Sequence, residues 1–170
     1  GASVGALGTR LMTVGAAALA PMTAATRIFG TFEENLQRVS TMLDDSQKYL
    51  RGYAQGIREM SVEFNEGTDT LAAGLYDVLS ASVDPAKAMD VLAVSAKAAK
   101  AGLTDTAVSV DGITSVLNAY QLAAEQAEDV SDAMFQTVKR GKITFPQLAA
   151  NIGKVAPLAK AAGMSFRDMM

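Results

Sequence analysis

The sequence predicts an all-α protein: a multi-helix bundle or extended helical array preceded by a small-residue-rich, weakly hydrophobic helix. Apolar residues recur at spacings of three and four positions, which is the pattern of amphipathic helices. No segment alternates apolar and polar residues with the period of two that marks a strand. Glycine, proline and hydroxyl-bearing residues stand where helices of ordinary length would begin and end.

The composition indicates helices that pack through small side chains. Hydrophobic residues make up 49% of the 170-residue chain and charged residues 19%, which is sufficient for a packed core. The net charge of -3 gives no electrostatic basis for a specific nucleic-acid site. The chain has no Cys and no His, so it lacks disulfides, thiol chemistry, and the commonest general base and metal ligand.

The N-terminal stretch is almost free of charge, since Arg10 is the single charged residue between Ala2 and Thr26. Residues 11–26 are uncharged and consist mostly of Ala, Gly, Thr and Met, with Pro21 inside. A membrane-spanning helix needs about 20 predominantly apolar residues. Three interpretations therefore remain open: a helix packed against copies of itself, a segment that inserts into a membrane conditionally, and a buried core helix.

Two domains are expected from this change in composition. Residues 1–30 form the small-residue hydrophobic helical segment, and residues 31–170 form a helical domain. The chain starts without Met and stops soon after a helix start, so we expect it to be a C-terminally truncated fragment of a longer chain.

The strongest periodicity runs from residue 32 to residue 60 and has the alternating spacing of a heptad seam. It predicts a coiled-coil or bundle contact between copies of the chain. The alternative is an amphipathic face packed on its own domain, and Asp44-Asp45-Ser46 marks a place where the seam can break into two helices. The candidate self-association residues are Phe32, Leu36, Val39, Leu43, Leu50, Tyr53, Ile57 and Met60.

Helix boundaries are marked most clearly from residue 84 onward. An Asp-Pro pair and an aromatic-Pro pair predict helix starts, and glycines predict stops in the left-handed conformation that Gly adopts without steric cost. The predicted helix caps and stops are Asp84, Pro85, Gly102, Thr104, Gly141, Pro146, Gly163 and Ser165.

No set of residues forms a recognisable catalytic motif. The Gly141-Lys142 pair is not a phosphate-binding loop, because that motif requires Gly where Gln136 stands and Ser or Thr where Ile143 stands. Adjacent carboxylates point in different directions on a helix and do not converge on a metal. We therefore expect no enzymatic activity, no catalytic residues, no cofactor and no metal site.

The order of these features resembles the conserved domain of tail tape measure proteins of tailed bacteriophages and prophages. The resemblance covers about residues 10–170 and rests on order and spacing, since no single motif in it is specific. It departs from many relatives at "SASVDPAKAMD", where they carry a Gly-containing loop. The matching positions are Phe32-Glu33, Ala101-Gly102, Asp129-Val130, Asp132, Met134, Val138 and Gly141.

The resemblance implies a virion structural protein of the tail tube lumen or tail tip. Such a protein sets tail length, scaffolds tail assembly and is released during genome ejection. The implied partners are copies of itself as a trimer or hexamer, tail tube proteins, distal tail or baseplate hub proteins, and the host inner membrane during ejection. The alternative function is a membrane-inserting helical module that forms a channel for DNA entry.

Overall fold

The computed structural model describes residues 30–170, and this range is helical with no strand. The predicted all-α class is therefore confirmed for the described part of the chain. The predicted small-residue helix, including residues 11–26, lies outside the described residues. The helices are α1 (residues 30–40), α2 (Ser46–Phe64), α3 (Thr68–Ser80), α4 (Ala88–Gly102), α5 (Thr106–Tyr120), α6 (Ala127–Arg140, preceded by the 3-10 turn Ala124–Gln126), α7 (Phe145–Ala161) and α8 (Phe166–Met169).

Helix α5 lies at the centre of the compact unit that runs from Asn35 to Met170. It packs against α3, α4, α6 and α7, whereas α2 packs against α3 and α4 on another side. The apolar residues of α5 that recur at helical spacing are all buried, which is why this helix can be surrounded by neighbours. They are Val110, Ile113, Leu117 and Tyr120.

Small residues allow α5 and α7 to approach closely. A Cβ placed on Gly112 would lie 2.8 Å from the Cβ of Ala149, and one placed on Gly153 would lie 2.9 Å from the Oγ of Ser115. A side chain at position 112 would require a shift of α7, because the Cα of Ala149 also lies at 2.9 Å, whereas one at position 153 would require the Ser115 hydroxyl to rotate. The alanine-rich composition thus fixes the separation of the two helices, because small side chains let backbones come together.

The two helix starts after residue 140 coincide with the predicted positions. Thr144 is the N-cap of α7, and its hydroxyl accepts a hydrogen bond from the backbone N–H of Gln147 at 3.4 Å, with Pro146 in the first turn. Ser165 is the N-cap of α8, and its hydroxyl accepts a hydrogen bond from the N–H of Asp168 at 3.2 Å.

The glycines at the ends of α6 and α7 adopt different conformations. Gly163 has φ +80 and follows α7, where the N–H of Met164 donates to the carbonyl of Ala159 at 3.0 Å. This is the hydrogen bond of a Schellman stop with glycine in the left-handed position. Gly141 also follows its helix directly, but it is extended, with φ -102 and ψ 166.

The Asp84-Pro85 pair lies ahead of α4 and is not its first turn. The carboxylate of Asp84 accepts from the N–H of Ala86 at 2.8 Å, and its carbonyl accepts from the N–H of Lys87 at 2.8 Å. These bonds close a separate turn, and the helix begins at Ala88 with Lys87 as the N-cap residue. The predicted start is therefore corrected by about one helical turn.

The predicted stop at Gly102 and the predicted cap at Thr104 are each shifted by one residue. Gly102 is the last residue of α4, and Leu103 takes the left-handed conformation, with φ 53 and ψ 50. The N–H of Thr104 donates to the carbonyl of Ala99 at 3.0 Å and closes that stop. Asp105 is then the N-cap residue of α5, without a side-chain capping bond.

Candidate functional site

The residues of the heptad seam are divided between α1 and α2, with Leu43 in the segment that joins them. Residues 41–45 form turns between α1 and α2. Asp45 is the N-cap of α2, and its carboxylate accepts a hydrogen bond from the N–H of Lys48 at 3.3 Å. The seam is therefore interrupted at the acidic cluster where the sequence allowed a break, and the two halves are positioned separately.

About half of the seam contributes to the chain's own core. The fully or almost fully buried members are Phe32, Val39, Tyr53, Ile57 and Met60. The remaining members, Leu36, Leu43 and Leu50, are half-buried. These three retain apolar surface in the described part of the chain.

Tyr53 shows how α2 is held against the loop before α4. Its hydroxyl donates a hydrogen bond to the backbone carbonyl of Pro85 at 2.7 Å, and its ring stacks on Tyr49 with 5.8 Å between centroids. Burial is the main cause that raises the pKa of Tyr53 to about 12, and the neighbouring Tyr49 adds to it. Tyr53 therefore makes these contacts within its own chain.

An open groove of about 720 Å³ lies between α2, α4 and α6. Its floor is apolar and made mainly of small side chains from α4, bordered by one aromatic ring from α2 and one from α6. The apolar lining residues are Phe64, Ala93, Val94, Ala98, Ala101 and Phe135. A floor of this kind accepts the apolar face of a helix.

The rim of this groove, which we call the α4 groove, carries more carboxylates than cations. The carboxylates are Glu63, Glu128 and Asp132, and the cations are Lys97 and Lys139. Lys97 lies 3.8 Å from Glu128 in an exposed ion pair. The rim that remains has two carboxylates and one cation, so its charge is net negative.

The outward face of α7 carries apolar residues that no described element covers. Leu158 is 71% exposed and Val155 is 50% exposed, and Met164, just after the helix, is 41% exposed. They continue a stripe with alternating spacings of three and four positions, which is the period of a helix–helix contact. We call this stripe the α7 face; its members are Leu148, Asn151, Val155, Leu158 and Ala162.

Sequence reasoning missed the α7 face, although the spacing that defines it was present. The helix carries a second apolar stripe that is buried, formed by Phe145, Ala149, Ile152, Ala156 and Ala159. Since both stripes are apolar, the sequence of α7 does not distinguish the face that packs internally from the face that stays exposed.

The part of the chain that contains α7 is uniformly basic. From residue 133 to residue 167 the sequence has no Asp or Glu. Lys154 flanks the α7 face and accompanies Asn151, with 3.4 Å between the Lys154 Nζ and the Asn151 Oδ1. The basic residues of this segment are Lys139, Arg140, Lys142, Lys154, Lys160 and Arg167.

A partly buried carboxylate lies between α3 and α5. Burial raises the pKa of Asp77, the nearby Asp111 carboxylate acts in the same direction, and the Arg38 guanidinium acts against them. The Arg38 guanidinium also lies over the ring of Tyr76, 4.9 Å from its centroid. We therefore expect the stability of the fold to depend on the protonation of Asp77.

Neither a metal cluster nor a membrane-spanning helix occurs between residues 30 and 170. Within this range no three carboxylates converge in a way that could hold a metal ion. None of the helices in it is both long and apolar enough to cross a bilayer. The channel interpretation depended on residues 11–26, which lie outside the described range.

Comparison with known proteins gives a family and one informative relative. Residues 54–170 match the family described as phage-related minor tail protein. The chain is 29% identical over 154 residues to a probable tape measure protein of Clostridium phage phiCD119. That alignment covers 88% of this chain but only 16% of the relative's length. No solved structure matches the chain.

Proposed function

The chain belongs to the family of phage-related minor tail proteins, and on that premise we propose that it is a segment of a tail tape measure protein. In this proposal it is a virion structural protein of the tail tube lumen or tail tip. It sets tail length together with the rest of its chain, scaffolds tail assembly and is released during genome ejection. The single observation that carries the proposal is the similarity of most of the chain to a probable tape measure protein.

The shape of the described unit suggests which part of that work it performs. An α-helix rises about 1.5 Å per residue, so only an extended helix converts residue number directly into length. Residues 35–170 instead fold back into a compact unit around α5. We therefore assign this segment an assembly role and place the length-proportional part of the protein in other regions of the longer chain.

The proposal includes a structural role without catalysis. Tail proteins of this class act by packing and by contact, and the features that stand out in the described chain are an apolar groove and an exposed helix face. Such features suit binding to other helices. We propose no catalytic residue, cofactor or metal for this segment.

The proposed partners are copies of the same chain, as a trimer or hexamer, tail tube proteins, and distal tail or baseplate hub proteins. The host inner membrane is a transient partner during ejection, and we propose residues 1–30 as the separate segment that would meet it. The half-buried seam residues Leu36, Leu43 and Leu50 are one candidate contact between copies.

In-frame deletions in the phage that encodes the full-length protein test this function. Deleting residues 32–170 is expected to give failed or tipless tails, because an assembly element is lost. The matched control deletes the same number of helical residues elsewhere in the protein and is expected to shorten the tail by about 1.5 Å per residue. Electron micrographs that show normal-length, infective tails after deletion of residues 32–170 would refute the proposal.

A further inference from the structure

Two complementary surfaces of the described chain are left without a partner in it: the α4 groove and the α7 face. We propose that copies of this chain associate head to tail, with the α7 face of one copy seated in the α4 groove of the next. This inference adds to the proposed function the two surfaces through which the copies meet. It rests on the proposed function because that function brings several copies together in one tail.

The shapes of the two surfaces match. The α4 groove lies between three helices, and its floor is made of small side chains, including Ala93, Ala98 and Ala101. Such a floor leaves room for large aliphatic side chains from a partner helix. The α7 face offers these in Val155 and Leu158, one helical turn apart and exposed by 50% and 71%. Burial of such residues is the main source of affinity in helix-in-groove recognition.

The charges of the two surfaces also match. Helix α7 carries Lys154 and Lys160 beside the α7 face and has no acidic residue. The rim of the α4 groove carries three carboxylates, Glu63, Glu128 and Asp132, and two cations, Lys97 and Lys139, so its net charge is negative. Lys154, beside the α7 face, would approach this rim. Electrostatic complementarity of this kind selects a partner and its orientation.

The two surfaces belong to different parts of the fold. The α4 groove is formed by α2, α4 and α6, whereas the α7 face points away from α5, on which α7 packs. No residue is shared between them, so each copy can use both at once. A contact between two different surfaces of identical chains is heterologous, and it builds a ring if the rotation closes or an open array if it does not.

The test uses two variants that each damage one surface. Leu158→Asp places a charge in the α7 face, and Ala101→Trp fills the α4 groove with an indole ring from an exposed position. Each variant alone is expected to weaken self-association of the 170-residue chain by at least about ten-fold in sedimentation. Circular dichroism must show the helical content of the unmodified chain in both variants.

Mixing the two variants separates a head-to-tail contact from other arrangements. The Ala101→Trp chain keeps an intact α7 face, and the Leu158→Asp chain keeps an intact α4 groove. The mixture is therefore expected to form a one-to-one complex that grows no further, with an affinity close to that of the unmodified contact. The matched control is Val62→Asp, which changes an aliphatic residue 85% exposed on α2 and outside the groove lining, and should leave association unchanged.

Several results would overturn the inference. An unmodified chain that stays monomeric at all concentrations excludes a contact between copies, while leaving the deletion test of the tape measure proposal unaffected. Association of the Ala101→Trp chain alone, lost only in Leu158→Asp, would indicate that two α7 faces meet each other. Loss of association in a Leu36→Asp/Leu50→Asp chain, with Leu158→Asp unaffected, would assign the contact to the seam instead.

Discussion

Phe145 occupies the space that a side chain at position 102 would need. A Cβ placed on Gly102 would lie 2.6 Å from Cδ1 and 2.7 Å from Cγ of the Phe145 ring. That ring is almost fully buried and stacks on Phe135, with 4.5 Å between centroids. The glycine at the end of α4 is therefore required by the start of α7, because it lets an aromatic ring pack directly on the backbone.

Replacement of Gly102 by Ala is expected to destabilise the protein by about 1–3 kcal/mol, since the buried Phe145 ring must move. The matched control is Gly52→Ala within α2, where a Cβ meets nothing within 4 Å. That control should gain up to about 1 kcal/mol from helix propensity alone. Urea unfolding measures both, and equal effects of the two substitutions would contradict the packing argument.

Replacement of Leu103 by Gly should increase the stability of the protein. It holds φ 53, a left-handed conformation that is costly for a residue with a Cβ, while its side chain is 92% exposed and contributes little packing. Leu103→Gly is expected to stabilise the protein by about 0.5–1 kcal/mol. Gly163→Ala is the opposite substitution, because it adds a Cβ to a glycine in the left-handed conformation. Nothing lies within 4 Å of that Cβ, so the variant should be destabilised by backbone strain alone. A thermal midpoint for Leu103→Gly below that of the unmodified chain would refute the strain argument.

The raised pKa of Asp77 predicts how the stability of the fold depends on pH. Burial raises its pKa in the folded state, so the protonated form is favoured there and its contribution to stability is lost as pH rises through the folded pKa. Asp77→Asn should therefore be more stable, relative to the unmodified chain, at pH 7 than at pH 3. Urea unfolding at both values measures the difference, with Asp44→Asn in the exposed turn before α2 as the control. If the stability difference between Asp77→Asn and the unmodified chain were the same at both pH values, Asp77 would not be a source of pH dependence.

Tyr53 should ionise well above pH 10. Its pKa of about 12 lies above the usual value near 10, so the stability it contributes is complete below pH 10 and is lost as pH rises toward 12. Tyr53→Phe should remove the tyrosinate absorbance step near pH 12. It should also cost about 1 kcal/mol, because the carbonyl of Pro85 loses its hydrogen-bond donor. Tyr49→Phe is the control, and a high-pH step that persists in Tyr53→Phe would assign the shift to another residue.

The existence of the helices was predictable from the sequence, because their caps and periods are local signals. One exact stop was not, and Gly102 shows why. Glycine can serve either a left-handed backbone or the close approach of a neighbour. Here Gly102 allows the close approach of Phe145, which is distant in sequence. The left-handed conformation is taken by the next residue, Leu103.

The candidate surfaces were less predictable than the helices. The α4 groove joins Phe64, Ala98 and Phe135 from three helices that are separate in sequence, so only their packing creates it. The seam was visible as a period, yet a period does not tell whether its partner belongs to the same chain. For Tyr53, the hydrogen bond to the Pro85 carbonyl shows a partner in the same chain.

The central position of α5 has a consequence for the synthesis of the chain. Helices α3, α4, α6 and α7 all contact α5, and each is separated from it along the chain by no more than one other helix. Helical proteins rich in local contacts fold within about microseconds to milliseconds. Translation adds only about 5–20 residues per second. The packing of α3 to α7 around α5 can therefore form as soon as α7 has left the ribosome.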